Sequence, residues 1–217
     1  MTRKMYLSQS FQKMKILHLS DTHSCHCKLS SLPKADVIVH SGDFTFSGSE
    51  EEAYDFMNWF CDLPYKHKIF ISGNHDVCMY GANGIEGLPD NVHYLCNSSV
   101  MIEGWKFYGI PMFIEDSRNG KLESFIRNIP ADTDILITHI PPKSICDLAD
   151  YGKGLAHRGD ASLAERLENL KISCHLFGHE HDAYGITMKD GVYYSNASVM
   201  DSKYNLKNQP VIIEIED

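Results

Sequence analysis

Short segments of this chain carry side chains able to hold cations: Asp21-Thr22-His23, Gly42-Asp43, Gly73-Asn74-His75-Asp76, Thr138-His139 and Gly178-His179-Glu180-His181. Imidazoles, carboxylates and an amide oxygen together suit divalent Mn, Fe, Co, Ni or Zn, and mixed N/O donors do not choose among them. Two such ions, held roughly 3.5–4 Å apart by a bridging carboxylate, activate a hydroxide between them for in-line attack on phosphorus and draw charge from the phosphoryl oxygens. Asp43 is the candidate bridge, because Gly42 before it permits a tight approach. Asp21, His23, Asn74, His139, His179 and His181 are the other candidate ligands. His75 has no metal in this scheme and is the candidate proton donor to the substrate, with Asp76 as the group that orients its ring. His157 and Asn196 are candidate substrate contacts at the rim. Any one such histidine is more often a surface or hydrogen-bonded residue, so the weight rests on their occurrence together.

Something must bring these segments to one place, and the sequence supplies it. Each follows a short apolar run, at Ile16-Leu19, Val37-Val39, Ile69-Ile71, Ile135-Ile137 and Leu176-Phe177, that suits a buried strand. Ligands at the carboxyl ends of successive strands converge on one sheet edge, where open α/β folds place their sites. Ser49 and Glu52 form a capping box, and Ala53, Phe56, Met57 and Phe60 an apolar stripe, which predicts a helix over about 49–62. A second helix is expected over about 161–170, with Ser162 and Glu165 as its capping box, and a weaker one over 118–128. Strand and turn signals over 92–108 and 184–215, including Asp190-Gly191, predict hairpins. The pattern implies two packed sheets flanked by helices, an α/β (α+β) protein.

Length and composition narrow the function. A chain of 217 residues suits one domain, taken as 14–217, with 1–13 set aside as an N-terminal extension that is a candidate for disorder. The formal net charge of −9 opposes binding to extended nucleic acid or an anionic membrane, so a small anionic substrate needs bound cations to meet it. The 7 cysteines are scattered and odd in number, which argues against a disulfide framework and for a reducing, cytoplasmic setting. Cys25-His26-Cys27 matches none of the usual structural zinc spacings and reads as packed or loop residues. No secretory h-region and no membrane-length apolar run is present. His18, His40 and His175 lie in or beside the strand runs and are expected to pack, with His40 and Ser41 behind Asp43.

In order and spacing the motifs resemble those of the calcineurin-like metallophosphoesterase superfamily: DxH, GDxxxxG, GNH followed by Asp or Glu, a separate His, and GHxH. Gly42 to Gly48 fits the second motif in full. The resemblance implies a four-layer αββα sandwich. It assigns Asp21, His23, Asp43 and His181 to one metal, and Asp43, Asn74, His139 and His179 to the other. Thr138 to Pro142, His157 to Asp160, Phe177 to Gly185 and Asn196 to Ser198 are similar to the metallophosphoesterase-domain-containing (MPPED) group. That group resembles class III cyclic nucleotide phosphodiesterases, and dimers are common in it. Ile140 and Asp160 depart from its pattern, which bears on the pocket lining.

The expected activity is hydrolysis of small phosphodiesters, cyclic nucleotides among them. A phosphomonoesterase or protein phosphatase would use the same metals, yet Phe46-Ser47 and Ser72 stand where that branch carries its arginines. A non-catalytic, metal-stabilised interaction module is the alternative from another class.

Overall fold

A computed structural model describes residues 13–29 and 31–216 of the chain. The β-branched runs are its strands: β1 (Lys13–Leu19), β2 (Val37–His40), β3 (His67–Phe70), β4 (Val92–Tyr94), β5 (Ser98–Ile102), β6 (Trp105–Ile110), β7 (Ile135–Thr138), β8 (Leu148–Ala149), β9 (Ala156–His157), β10 (Cys174–Phe177), β11 (Gly185–Lys189), β12 (Val192–Asn196) and β13 (Val211–Glu216). The helices are α1 (Glu50–Asp62), α2 (Ile114–Arg118), α3 (Lys121–Arg127) and α4 (Ala161–Leu167).

The strands form two large sheets, ordered β13-β1-β2-β3-β4 and β11-β12-β10-β7-β6-β5, and β8 and β9 pair separately. In the first sheet β1 to β4 are parallel and β13 is antiparallel. In the second, β12, β10, β7 and β6 are parallel, with antiparallel β11 and β5 at the edges. Alternation along each strand assigns its faces. Met14, Ile16, Val37, Val39, Ile69 and Ile71 meet Phe107, Ile135, Ile137, Cys174 and Leu176 between the sheets. Leu17, Leu19, Ile38 and Phe70 face the other way, onto Phe56 and Phe60 of α1. Leu136 and Phe177 pack outward onto Leu122, Ile126, Leu163 and Leu167 of α3 and α4. The result is the expected αββα layering.

α1 starts at Ser49 with both halves of the capping box formed, and Phe56 stacks on Phe44 at 4.4 Å between centroids. Other boundaries differ from the sequence reading. α4 is capped by Asp160, whose Oδ1 accepts from Leu163 N at 2.7 Å, so Ser162 lies inside the helix. A carboxylate there satisfies a free amide and meets the positive helix end. The single helix expected over 118–128 is two, α2 and α3, broken where Gly120 takes φ +75°. Hairpins do close at Glu103-Gly104 and Asp190-Gly191, all four residues having positive φ. β4, however, joins β3 in parallel instead of entering a hairpin. Lys13 belongs to β1, opposite Glu216, and the rest of the N-terminal extension lies outside the described residues.

A bridge between Ser20 and Ser198 joins the two sheets just past the ends of β1 and β12. Ser20 N donates to Ala197 O and Val199 N donates back to Ser20 O, at 2.9 and 3.0 Å. This seam brings the carboxyl ends of the parallel strands from both sheets to one edge. Among the described residues no helix is long and apolar enough to cross a membrane.

Candidate metal centre

Four of the seven candidate ligands leave their strands at that edge through an unusual backbone turn. Asp21, His23, Asp43 and His179 have φ of 56°, 40°, 57° and 69°, in the left-handed region that L-residues avoid. Such conformations cost about 1–3 kcal/mol each and collect at functional sites. They let side chains just beyond a strand swing to a common centre. Gly42, at φ +104°, is required: a Cβ there would stand 2.7 Å from both Gly73 N and His139 Nδ1.

The donor atoms converge. Those of Asp21, His23 and His181 lie within 4.8 Å of one another, as do those of Asp43, His139 and His179, and those of His23, Asp43 and His75. Asp43 Oδ2 is 3.9 Å from His23 Nε2 and 3.3 Å from His139 Nε2, which places it between the first two groups. His181 Nε2 stands 3.3 Å from Asp21 Oδ1, and Asn74 Oδ1 stands 3.1 Å from His139 Nε2.

Backbone carbonyls fix the rings. Nδ1 of His23, His139 and His181 lies 3.1, 2.9 and 3.0 Å from the carbonyls of Thr45, Ser41 and Asp201. A carbonyl only accepts, so each Nδ1 carries a hydrogen and each Nε2 faces inward, where a cation binds it once any proton there is displaced. The His23 and His181 Nε2 atoms then face each other at 3.3 Å, and His139 Nε2 faces His179 Nδ1 at the same distance. Opposed lone pairs repel unless a proton or a cation lies between them. This donor set, buried and held from behind, fits divalent ions.

The family model for calcineurin-like phosphoesterases matches residues 14–183. The chain belongs to the calcineurin-like phosphoesterase family. Within the family it is 33% identical to a UPF0046 protein of Caenorhabditis elegans, over 94% of this chain and 81% of that protein. It is 30% identical to human metallophosphoesterase domain-containing protein 1, over 91% of this chain and 69% of that one. The family makes it a metal-dependent phosphoesterase, and the resemblance to the metallophosphoesterase-domain-containing branch holds.

Charge in this phosphoesterase's site is balanced tightly. Burial would raise the Asp43 carboxyl, but His139 beside it holds its pKa down at about 2. Burial would lower His139, but Asp43 and Asp21 push it up to about 10. Burial likewise opposes ionisation of Asp21, and His181, His139 and His23 together hold its pKa below the usual carboxylate range. Burial lowers His179 to about 4, which leaves it a neutral ligand.

Not every expected role survives. Asp76 does not touch the His75 ring: its carboxylate accepts from the backbone N–H groups of Asp43, Gly73 and Thr45, at 2.9, 2.8 and 2.8 Å, and from Thr45 Oγ1. Backbone donors outcompete the ring because the turn brings three of them to one buried carboxylate, whose pKa burial and Asp43 raise to about 7. The ring hydrogen bond goes instead from His75 Nδ1 to Phe46 O, at 2.8 Å. Asn196 is fully buried and spends its amide on Cys146 O and Glu180 O, so it is a strut between loops and not a substrate contact. His157 pairs with Asp147 at 2.6 Å and does not line the cleft.

The cleft over the ligands has a volume of about 420 Å³, and its outer wall is formed by Asp150, Tyr151, Glu180, Asp182, Ser202 and Tyr204. Tyr151 donates to Glu180 Oε2 at 2.6 Å, and the Arg158 guanidinium lies 5.1 Å over the Tyr151 ring. Tyr204 stands edge-on to His23, with ring centroids 5.0 Å apart. Glu180 and Asp182 fall within the segment of His179 and His181, but no motif marks Asp150, Tyr151, Ser202 or Tyr204 in the sequence. The expected packing histidines are confirmed: His18, His40 and His175 are fully buried, and His18 bridges the sheets between Ser41 and Ser195.

Proposed function

We propose that the chain is a phosphodiesterase with a dinuclear metal site, acting on small phosphodiesters, cyclic nucleotides among them. The observation that carries this reading is the charge of the cleft: its lining holds Asp150, Glu180 and Asp182 outside the ligands, and no Arg or Lys among the described residues. A phosphomonoester carries about −1.5 to −2 at pH 7 and calls for a fixed cationic clamp. A diester carries a single charge, which suits a site whose positive charge is confined to its ions. The net charge of −9 likewise favours a small substrate over an extended nucleic acid.

Bound cations would supply an activated water and neutralise phosphoryl charge. Asp21, His23, Asp43 and His181 would hold one, and Asp43, Asn74, His139 and His179 the other, with Asp43 as the shared ligand. Gly42 and the Asp76 carboxylate keep the Asp43 turn in register with the Asn74 turn. His75, whose Nδ1 donates to Phe46 O and which stands beside His23 and Asp43, would give the leaving oxygen its proton from Nε2 as the imidazolium, keeping the hydrogen on Nδ1. Its nearness to His23 and Asp43 also makes it able to ligate, so metal content must be measured with turnover.

The test is a substrate panel on protein whose metals are quantified: bis(p-nitrophenyl) phosphate, p-nitrophenyl phosphate, and 2′,3′- and 3′,5′-cyclic nucleotides, with added Mn²⁺. The diester is expected to exceed the monoester in kcat/KM by about tenfold or more. A monoester preference would make the protein a phosphatase. No turnover with any first-row divalent metal would make it a binding module.

A further inference from the structure

Cys25-His26-Cys27 follows the loop that carries Asp21 and His23, and residues His26–Lys28 form a 3-10 turn packed on α1. The His26 ring lies 5.0 Å from the Trp59 ring and 5.6 Å from that of Phe56. It is fully buried, yet neither ring nitrogen has a hydrogen-bond partner among the described residues. Burial without a partner is unfavourable for a polar atom, so the ring lacks the partner its position demands. Asp55 of α1 approaches it, with Oδ2 3.1 Å from Nε2 but outside hydrogen-bond geometry. One donor atom each from His26, Cys27 and Asp55 lies within 4.8 Å of the others. Cys27 and Asp55 are exposed, which leaves the cluster open to solvent on one side.

We propose that His26, Cys27 and Asp55 form a further cation site, separate from the phosphoesterase centre, that takes Zn²⁺. Imidazole, thiolate and carboxylate with one water complete the tetrahedron that Zn²⁺ adopts. The thiolate sets this site apart in kind: it favours Zn²⁺ over Mn²⁺, whereas the main centre offers only nitrogen and oxygen. Burial lowers the pKa of His26 and keeps the ring neutral, as a ligand must be. Cys25, the other thiol of the motif, faces Lys28 instead, its sulfur accepting from Nζ at 3.3 Å. The third ligand comes from α1, which is why the linear spacing resembles no zinc pattern. Ser24 already donates to Glu52 of α1 at 3.0 Å. An ion at His26 would be a second tether between α1 and the loop that positions His23.

Full-length protein loaded with Mn²⁺ and then titrated with Co²⁺, a spectroscopic substitute for Zn²⁺, tests the assignment. One equivalent is expected to produce a thiolate-to-cobalt charge-transfer band in the near ultraviolet, bleached by Zn²⁺. The main centre has no sulfur ligand and cannot give this band. Cys27→Ser should abolish it while circular dichroism and diester turnover stay at the parent level, and Asp55→Asn should weaken Co²⁺ binding about tenfold or more. Cys25→Ser should leave the band intact. Absence of the band, or a band that persists in Cys27→Ser, overturns the proposal.

Discussion

The ligand cluster and the outer wall of the cleft are held in different ways. Within the cluster, each ring of His23, His139 and His181 is pinned by a backbone carbonyl, and Asp76 ties the Asp43 and Asn74 turns together through amide hydrogens. On the wall, Tyr151 hangs from one hydrogen bond to Glu180, and Tyr204 sits at φ +59° in a turn organised by Asp201, which accepts from Lys203 N and Asn205 N at 2.9 Å. Backbone-built parts are stiff, as a site for chemistry requires. Side-chain-built parts can be exchanged, which makes the wall the expected place for substrate selection.

That contrast can be broken by mutation. Asp43→Ala removes the proposed shared ligand, and hydrolysis should fall at least about 10³-fold, beyond the loss of a single charge-stabilising group, with metal content falling alongside. Asp76→Ala leaves buried amides of three turn residues unpaired and should cost about 3 kcal/mol or more in urea unfolding, roughly a 10²-fold shift in the folding equilibrium. His75→Ala should keep both ions and lose about 10²-fold in kcat on a cyclic nucleotide, and less on a p-nitrophenyl ester, whose leaving group needs no proton.

Metal affinity should rise with pH, because Asp43 and Asp21 keep His139 protonated up to about pH 10 and a cation must displace that proton. The expected slope is up to tenfold per pH unit, with proton release visible by calorimetry in buffers of different ionisation enthalpy. Tyr204→Ala is the mildest change: KM should move by less than about tenfold while metal content and kcat hold. A loss of metal in that variant would erase the distinction between cluster and wall.

The same distinction explains what could be read from the sequence. The candidate ligands are legible because each lies within a few residues of a strand end, so strand and motif announce one another, and the structure brings them together. The layers followed from apolar alternation, and α1 from its capping box. Asp76 was misread because its neighbour His75 suggested a ring partner, whereas its real partners are amides of Asp43 and Thr45, more than thirty positions earlier. Asn196 was misread for the same reason, its partners lying in loops at Cys146 and Glu180. Tyr151 and Tyr204 left no signal at all. They reach the cleft through packing between loops, which has no periodicity and no fixed spacing.

In the proposed centre Asp43 joins two ions. Electron paramagnetic resonance of the Mn²⁺-loaded chain tests it most directly. Two ions per chain with an exchange-coupled multiline spectrum that Asp43→Ala abolishes are expected; one ion per chain, or two that show no coupling, would contradict a shared Asp43.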